Sequence, residues 1–207
     1  MKLSWATRIT IVRILLIVPF VSCLLRINDP ELGTSTRAWL RYAAMAMYMV
    51  MAISDGLDGY LARSTRQVTR LGTFLDPVAD KLLITSACLL LASRHAHVPG
   101  FLIPGTVVVL IIAKDVLLMI GFVIVYMITG RAWVQPVLIG KAATALQLIM
   151  VAAVLVGPEL SRWVPGWIWL VRLLWWSAAG AAVLATLVYI RNGIRFLEAY
   201  ESPESTD

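Results

Sequence analysis

Apolar positions run through this chain in six long blocks, separated by short polar connectors. A helix crossing a membrane needs about 20 mostly apolar residues. Blocks of that size lie at roughly 9–26, 38–60, 72–92, 101–128, 136–156 and 167–190. At Met45, Met47, Met49 and Met51 the alternation has period two, which alone suggests a strand. Open strands do not persist in lipid, so this block too is read as a helix. The connectors carry turn residues: Asn28-Asp29-Pro30 and Gly33, His97-Val98-Pro99-Gly100, Gly130, Gln135-Pro136, then Gly157-Pro158 and Pro165-Gly166 around the last loop. The expected fold is all-α: a polytopic membrane protein with a six-transmembrane-helix bundle over 1–197. A polar, acidic, disordered tail is expected at 198–207.

Composition agrees with this pattern. Hydrophobic residues make up 60% of the 207 positions and charged residues 14%, against about 25% charged in soluble domains. The mean hydropathy is +0.83. The net charge of +6 fits basic loops lying against an anionic leaflet. No long Lys/Arg run with interleaved aromatic residues points to nucleic acid. Cys23 and Cys88 sit far apart in apolar blocks and read as small core residues, not as a disulfide or metal site. The first block, preceded by Lys2 and Arg8, imitates an export signal. Five further blocks follow it and Arg13 interrupts it, so it reads as the first span.

Basic residues also suggest an orientation. With the N-terminus in the cytoplasm, that side holds Lys2, Arg8, Arg13, Arg63, Arg66, Arg70, Arg131, Lys141, Arg191 and Arg195, and the opposite side Arg26, Arg37, Arg41, Arg94, Arg162 and Arg172. This excess favours a cytoplasmic N-terminus. Trp163, Trp167, Trp169, Trp175 and Trp176 then form a belt at the other interface. His95 and His97 fall in an outer loop and read as solvated.

Most of the chemistry is concentrated between Asp55 and Asp80. Acids at membrane depth are costly and call for a reason. Asp55, Asp58, Asp76, Asp80 and Asp115 lie in or beside the apolar blocks. On a helix, Asp55 and Asp58 are about 60° apart around the axis, and Asp76 and Asp80 about 40°. Each pair shares a face. The short connector from Ser64 to Leu71 makes the two helices antiparallel neighbours, so the pairs can meet. Four such carboxylates repel, and two divalent cations would neutralise them. Oxygen ligands suit Mg²⁺, Mn²⁺ or Ca²⁺, and two adjacent ions suit chemistry at phosphorus. Gly56, Gly59 and Gly72 allow close approach to the backbone. Arg63 can pair bidentately with a phosphate, and Pro77 suits a first helical turn. Two other readings exist. The acids could pair with Arg63, Arg66, Arg70 and Lys81 as helix-end charges, or they could line a cation pathway in a cation-coupled transporter.

The pattern D-x2-D-G-x2-A-R-x8-G-x3-D-x3-D matches this stretch at every fixed position and resembles the signature of the CDP-alcohol phosphatidyltransferase family. The six-block layout resembles that family over nearly the whole chain. The resemblance implies transfer of a substituted phosphate from a CDP-linked donor to an alcohol, with release of CMP. It implies a homodimer with a dinuclear Mg²⁺ or Mn²⁺ site open to the cytoplasm. It implies Asp55, Asp58, Asp76 and Asp80 as metal ligands, Asp80 also as general base, and Gly59, Arg63 and Gly72 as the residues holding the CDP moiety.

Two further patches resemble the branch making glycerol-based phospholipids, which includes phosphatidylglycerophosphate and cardiolipin synthases. Ile9-Thr10-Ile11-Val12-Arg13 matches its Leu-Thr-x-x-Arg, with Ala6-Thr7 in place of the usual Pro-Asn. Gly140-Lys141-Ala142-Ala143-Thr144-Ala145-Leu146-Gln147 resembles its Gly-Lys-x-Lys-Thr-x-x-Gln, with Ala143 in place of the second Lys. The implied donor is CDP-diacylglycerol, and the implied acceptor is glycerol 3-phosphate or phosphatidylglycerol, held by Lys141. Lys114-Asp115 and Thr73 lean towards the cardiolipin enzymes. Being adjacent, Lys114 and Asp115 do not share a helix face and are expected to have separate partners.

Overall fold

A computed structural model describes the backbone over 5–65, 70–129 and 138–201, and side chains over 8–54, 78–129 and 138–198. The helices in chain order are α1 (Trp5–Arg26), α2 (Thr34–Thr65), α3 (Arg70–Leu91), α4 (Gly105–Thr129), α5 (Leu138–Leu155), α6 (Gly157–Trp163) and α7 (Trp167–Glu201). The described residues contain no strand. The period-two methionines lie inside α2, so the helical reading of that block holds.

Among the described residues, four stretches are long and apolar enough to cross a membrane: Arg8–Arg26, Gly105–Thr129, Leu138–Leu155 and Trp167–Glu198. They mark the chain as a multi-pass membrane protein. The surface agrees: Met119 is 71% and Met127 79% exposed on α4. Large apolar side chains left open along a whole helix need lipid or another protein as their solvent.

The segment between the last two long helices differs from expectation. The turn residues Gly157-Pro158 and Pro165-Gly166 predict a loop here, and the segment contains α6. The local chemistry explains this. Pro158 lies in the first turn, where no N–H is required. Glu159 opens the helix and Arg162 closes it, matching its dipole. The last helix also runs further than the expected 190, into the polar stretch from Glu198 as far as Glu201. Residues 202–207 lie outside the described residues.

The chain divides into two compact units, Met1–Ile103 with Leu148–Val171, and Pro104–Gln147 with Arg172–Asp207. In the first unit α1 packs against both α2 and α3. Its core contains Phe20, Leu24, Tyr48, Met51, Leu83, Ile84, Leu91, Met150 and Leu155, all fully buried or nearly so. The Tyr48 ring lies 6.0 Å from that of Phe20, and its hydroxyl donates to the Leu148 carbonyl at 2.9 Å. That bond satisfies the one polar atom of an otherwise apolar side chain.

Polar contacts tie the loops of this unit together. Asn28 Nδ2 donates to the His97 carbonyl at 2.8 Å. The Arg41 guanidinium bonds both carboxylate oxygens of Glu159 and lies 4.9 Å from the centre of the Tyr42 ring. This fork holds the Glu159 carboxyl below its usual range. Both Pro-Gly pairs form tight turns, with Gly100 at φ 84° and Gly166 at φ 85°, a region glycine enters without strain. His97 Nδ1 meets the Arg94 carbonyl at 2.9 Å, and His95 is exposed, as a solvated loop predicts. Cys88 is buried, Cys23 is half-buried, and neither forms a disulfide.

The second unit contains α4, the first half of α5 and most of α7. Ala178, Ala182 and Ala185 are fully buried along one face of α7. Trp175 is 6% exposed in the same core, which corrects its assignment to the interfacial belt. It falls three residues before Ala178, on the buried face. Trp163, Trp169 and Trp176 are exposed as a belt requires. Trp167, at the start of α7 in the first unit, donates to the Ala153 carbonyl at 3.4 Å.

Candidate active site

The carboxylate stretch lies on two helices. α2 has 32 residues, roughly 48 Å at 1.5 Å per residue, well beyond the ~30 Å hydrocarbon layer. Its apolar part ends near Ile53. Asp55, Asp58, Gly59 and Arg63 follow on its C-terminal turns. α3 begins at Arg70 and carries Gly72, Asp76 and Asp80 in order. Both carboxylate spacings thus fall within continuous helix, as the shared-face argument requires. The side chains of Asp55, Asp58, Asp76, Gly59, Arg63, Gly72 and Thr73 lie outside the described residues. Because α3 starts at Arg70, Pro77 falls beyond the first turn expected for it.

Asp80 is the one metal-ligand candidate whose side chain is described. Arg13 Nη1 donates to its Oδ1 at 2.7 Å. The two partners differ in burial: the Arg13 side chain is 1% exposed and that of Asp80 32%. Thr10, one turn before Arg13, is also fully buried. The apolar block of α1 therefore turns a polar pair of positions inward, against its neighbouring helices. The sequence contained a signal for this. Arg13 and Asp80 are isolated opposite charges in apolar blocks, and buried charges are found paired. Sequence spacing alone did not pair them, since 67 residues separate the two.

The described residues contain no group of three or more His, Cys, Asp or Glu positioned to hold a metal. Yet the donors fit a pair of divalent cations in kind: carboxylates only, at helical spacing, with a partly open carboxylate at Asp80.

The acceptor-site candidate, Lys141, belongs to the second unit. It is exposed in the first turn of α5. The adjacent Gly140 is needed for packing: a Cβ there would come within 2.8 Å of the Tyr189 hydroxyl on α7. With any larger residue there, either the half-buried Tyr189 side chain or this turn would have to shift. Further along α5, Gln147 is fully buried, and neither of its amide atoms has a hydrogen-bond partner among the described residues. Arg191 and Arg195 are exposed on α7, and Arg131 lies outside the described residues.

Lys114 and Asp115, expected to have separate partners, also meet each other at 3.0 Å, with Lys114 buried on α4. The long lysine stem can swing its ammonium around the helix to an adjacent carboxylate. In an apolar span the gain from pairing opposite charges outweighs the preference of neighbours to diverge. Sequence reading also missed a groove of about 370 Å³ between α4 and α7, lined by Leu118, Phe122, Val125, Tyr189 and Ile190 among others. Its lining is apolar apart from Thr186 and Tyr189, and the Thr186 hydroxyl bonds the Ala182 carbonyl of its own helix.

Among the described residues, four helices long and apolar enough to cross a membrane, together with two further helices that carry aspartates at helical spacing, define a multi-pass membrane protein with an acidic helical segment. The chain belongs to the CDP-alcohol phosphatidyltransferase family, whose profile matches residues 3–188. It is similar to the CDP-diacylglycerol–glycerol-3-phosphate 3-phosphatidyltransferases of Escherichia coli K12, Shigella flexneri serotype 5b and Shigella sonnei. Each is 34% identical over 122 residues, or 59% of this chain. The chain spans 65% of the length of these relatives.

Proposed function

We propose that this protein transfers a phosphatidyl group from CDP-diacylglycerol to glycerol 3-phosphate, with release of CMP. The observation that carries the reading is the D-x2-D-G-x2-A-R-x8-G-x3-D-x3-D pattern, set within α2 and α3 and ending in the partly open Asp80. The named activity of the relatives supports glycerol 3-phosphate over phosphatidylglycerol as acceptor. The exposed Lys141 supports an anionic acceptor. A cation-coupled transporter using the same aspartates leaves Gly59, Arg63 and Gly72 without a role.

Asp80 takes the proton of the acceptor hydroxyl as that oxygen attacks the β-phosphorus of the donor. The bond to the bridging oxygen breaks, and CMP leaves with the electron pair. Arg63 pairs with the donor phosphates, and Gly59 and Gly72 leave room for the nucleotide. Asp55, Asp58, Asp76 and Asp80 would hold two Mg²⁺ or Mn²⁺ ions, which when bound neutralise the pyrophosphate and the leaving group. The apolar helices keep the acyl chains in the bilayer, so only headgroups enter the polar site. The reading includes six membrane crossings, with α2 and α3 among them, a cytoplasmic N-terminus and active site, and a homodimer.

The test uses purified protein in detergent with CDP-diacylglycerol, labelled glycerol 3-phosphate and Mg²⁺ or Mn²⁺. CMP and phosphatidylglycerophosphate should form in equal amounts, stop on chelation and return when metal is restored. Cardiolipin formed only when phosphatidylglycerol is offered would overturn the acceptor. Ion flux in vesicles without CMP release would overturn the enzyme in favour of the transporter.

A further inference from the structure

We infer that Arg13 is a positioning residue for Asp80, anchoring its carboxylate from the protein interior so that the carboxylate's open side faces the reacting groups. The inference rests on the proposed role of Asp80 in phosphatidyl transfer. The geometry is asymmetric in a useful way. Arg13 is 1% exposed and cannot reach a solvated substrate, whereas Asp80 is 32% exposed and can. Their contact is a charge-assisted bond of 2.7 Å between a planar guanidinium and Oδ1. α1 packs against both α2 and α3, the two helices that carry the carboxylates. A side chain fixed at the α1 face therefore sets the position of an aspartate on α3 by a rigid element and not by a loop.

The cost of burying Arg13 supports a positional role. An arginine in an apolar helix is expensive, and its pairing with Asp80 is weak evidence for stability, because apolar replacements often do as well. Orientation is what an apolar residue at this position cannot supply. A base or ligand displaced by a fraction of an ångström loses rate without losing substrate binding.

The experiment compares Arg13→Gln, Arg13→Met and Arg13→Lys with wild type and Asp80→Asn, in detergent, for kcat, for KM of CDP-diacylglycerol and for thermal unfolding without substrate. Folded uncharged variants should lose at least tenfold in kcat with KM within about threefold, and Arg13→Lys should recover part of the loss. Unfolding should show coupling: adding Asp80→Asn to Arg13→Met should cost less stability than it does in wild type. A folded uncharged variant within twofold of wild-type kcat, or one whose loss falls in KM alone, overturns the inference. Should neither uncharged variant fold, the double variant decides. Recovery of folding by Asp80→Asn supports the pair, and its absence overturns it. Failure of the underlying reading looks different: Asp80→Asn itself would keep near-normal turnover.

Discussion

Single charged side chains in this protein take their meaning from burial. Arg13 reads in sequence as one more basic residue near the cytoplasmic side, and its partner across the fold is Asp80. Lys114 and Asp115 looked divergent on helical geometry and are paired. In both cases an apolar surrounding makes an unpaired charge so costly that an opposite charge is recruited. On the proposed mechanism, Asp80 is where this bears on catalysis. Asp80→Asn keeps size and a carbonyl acceptor but cannot take up a proton, so turnover should fall by about 10²–10⁴-fold, the range of general-base catalysis. Steady-state CMP release and nucleotide binding by the same preparation check this. The protein should still bind CDP, and near-normal turnover would remove Asp80 from its role as base.

Among the elements, α6 shows how close packing sets a connection. Gly157 begins this helix, and a Cβ there would lie 2.7 Å from the Phe101 ring. Phe101 is itself 5% exposed, so it has little room to yield. Gly157→Ala should therefore cost about 1–3 kcal/mol, the usual range for overpacking, seen as a lower midpoint of thermal unfolding in detergent. Gly33→Ala is the control. No atom lies within 4 Å of its added Cβ, so the change should stay within about 0.5 kcal/mol. The turn residues Gly157-Pro158 were legible as punctuation, yet the helix between the punctuation marks was not. Seven residues carry too little periodicity to separate a short helix from a loop.

For the whole molecule, the solvent explains most of the chain. Four stretches meet the requirement for crossing a hydrocarbon layer, and α4 leaves large apolar side chains open along its length. The proposed topology puts both ends of the matched region on one side, by the excess of basic residues expected in cytoplasmic connectors. Single cysteines introduced near the N-terminus and at Arg195, in a background lacking Cys23 and Cys88, should both resist an impermeant thiol reagent in intact cells and react after permeabilisation. Labelling of either in intact cells contradicts the orientation.

The six apolar blocks and the helical class could be read without coordinates, for a physical reason. The hydrophobic length needed to cross a bilayer and the helical spacing of carboxylates are both local properties of consecutive residues. The family profile over 3–188 agrees with that reading. What depended on tertiary structure was everything set by residues far apart in sequence. The junction of Arg13 with Asp80, the recruitment of Trp175 into a core, the contact of Tyr189 with Gly140 and the groove between α4 and α7 all arise this way. Packing brings such positions together according to the shape of whole helices, and a pattern along one helix holds no record of which side chain will face it from another.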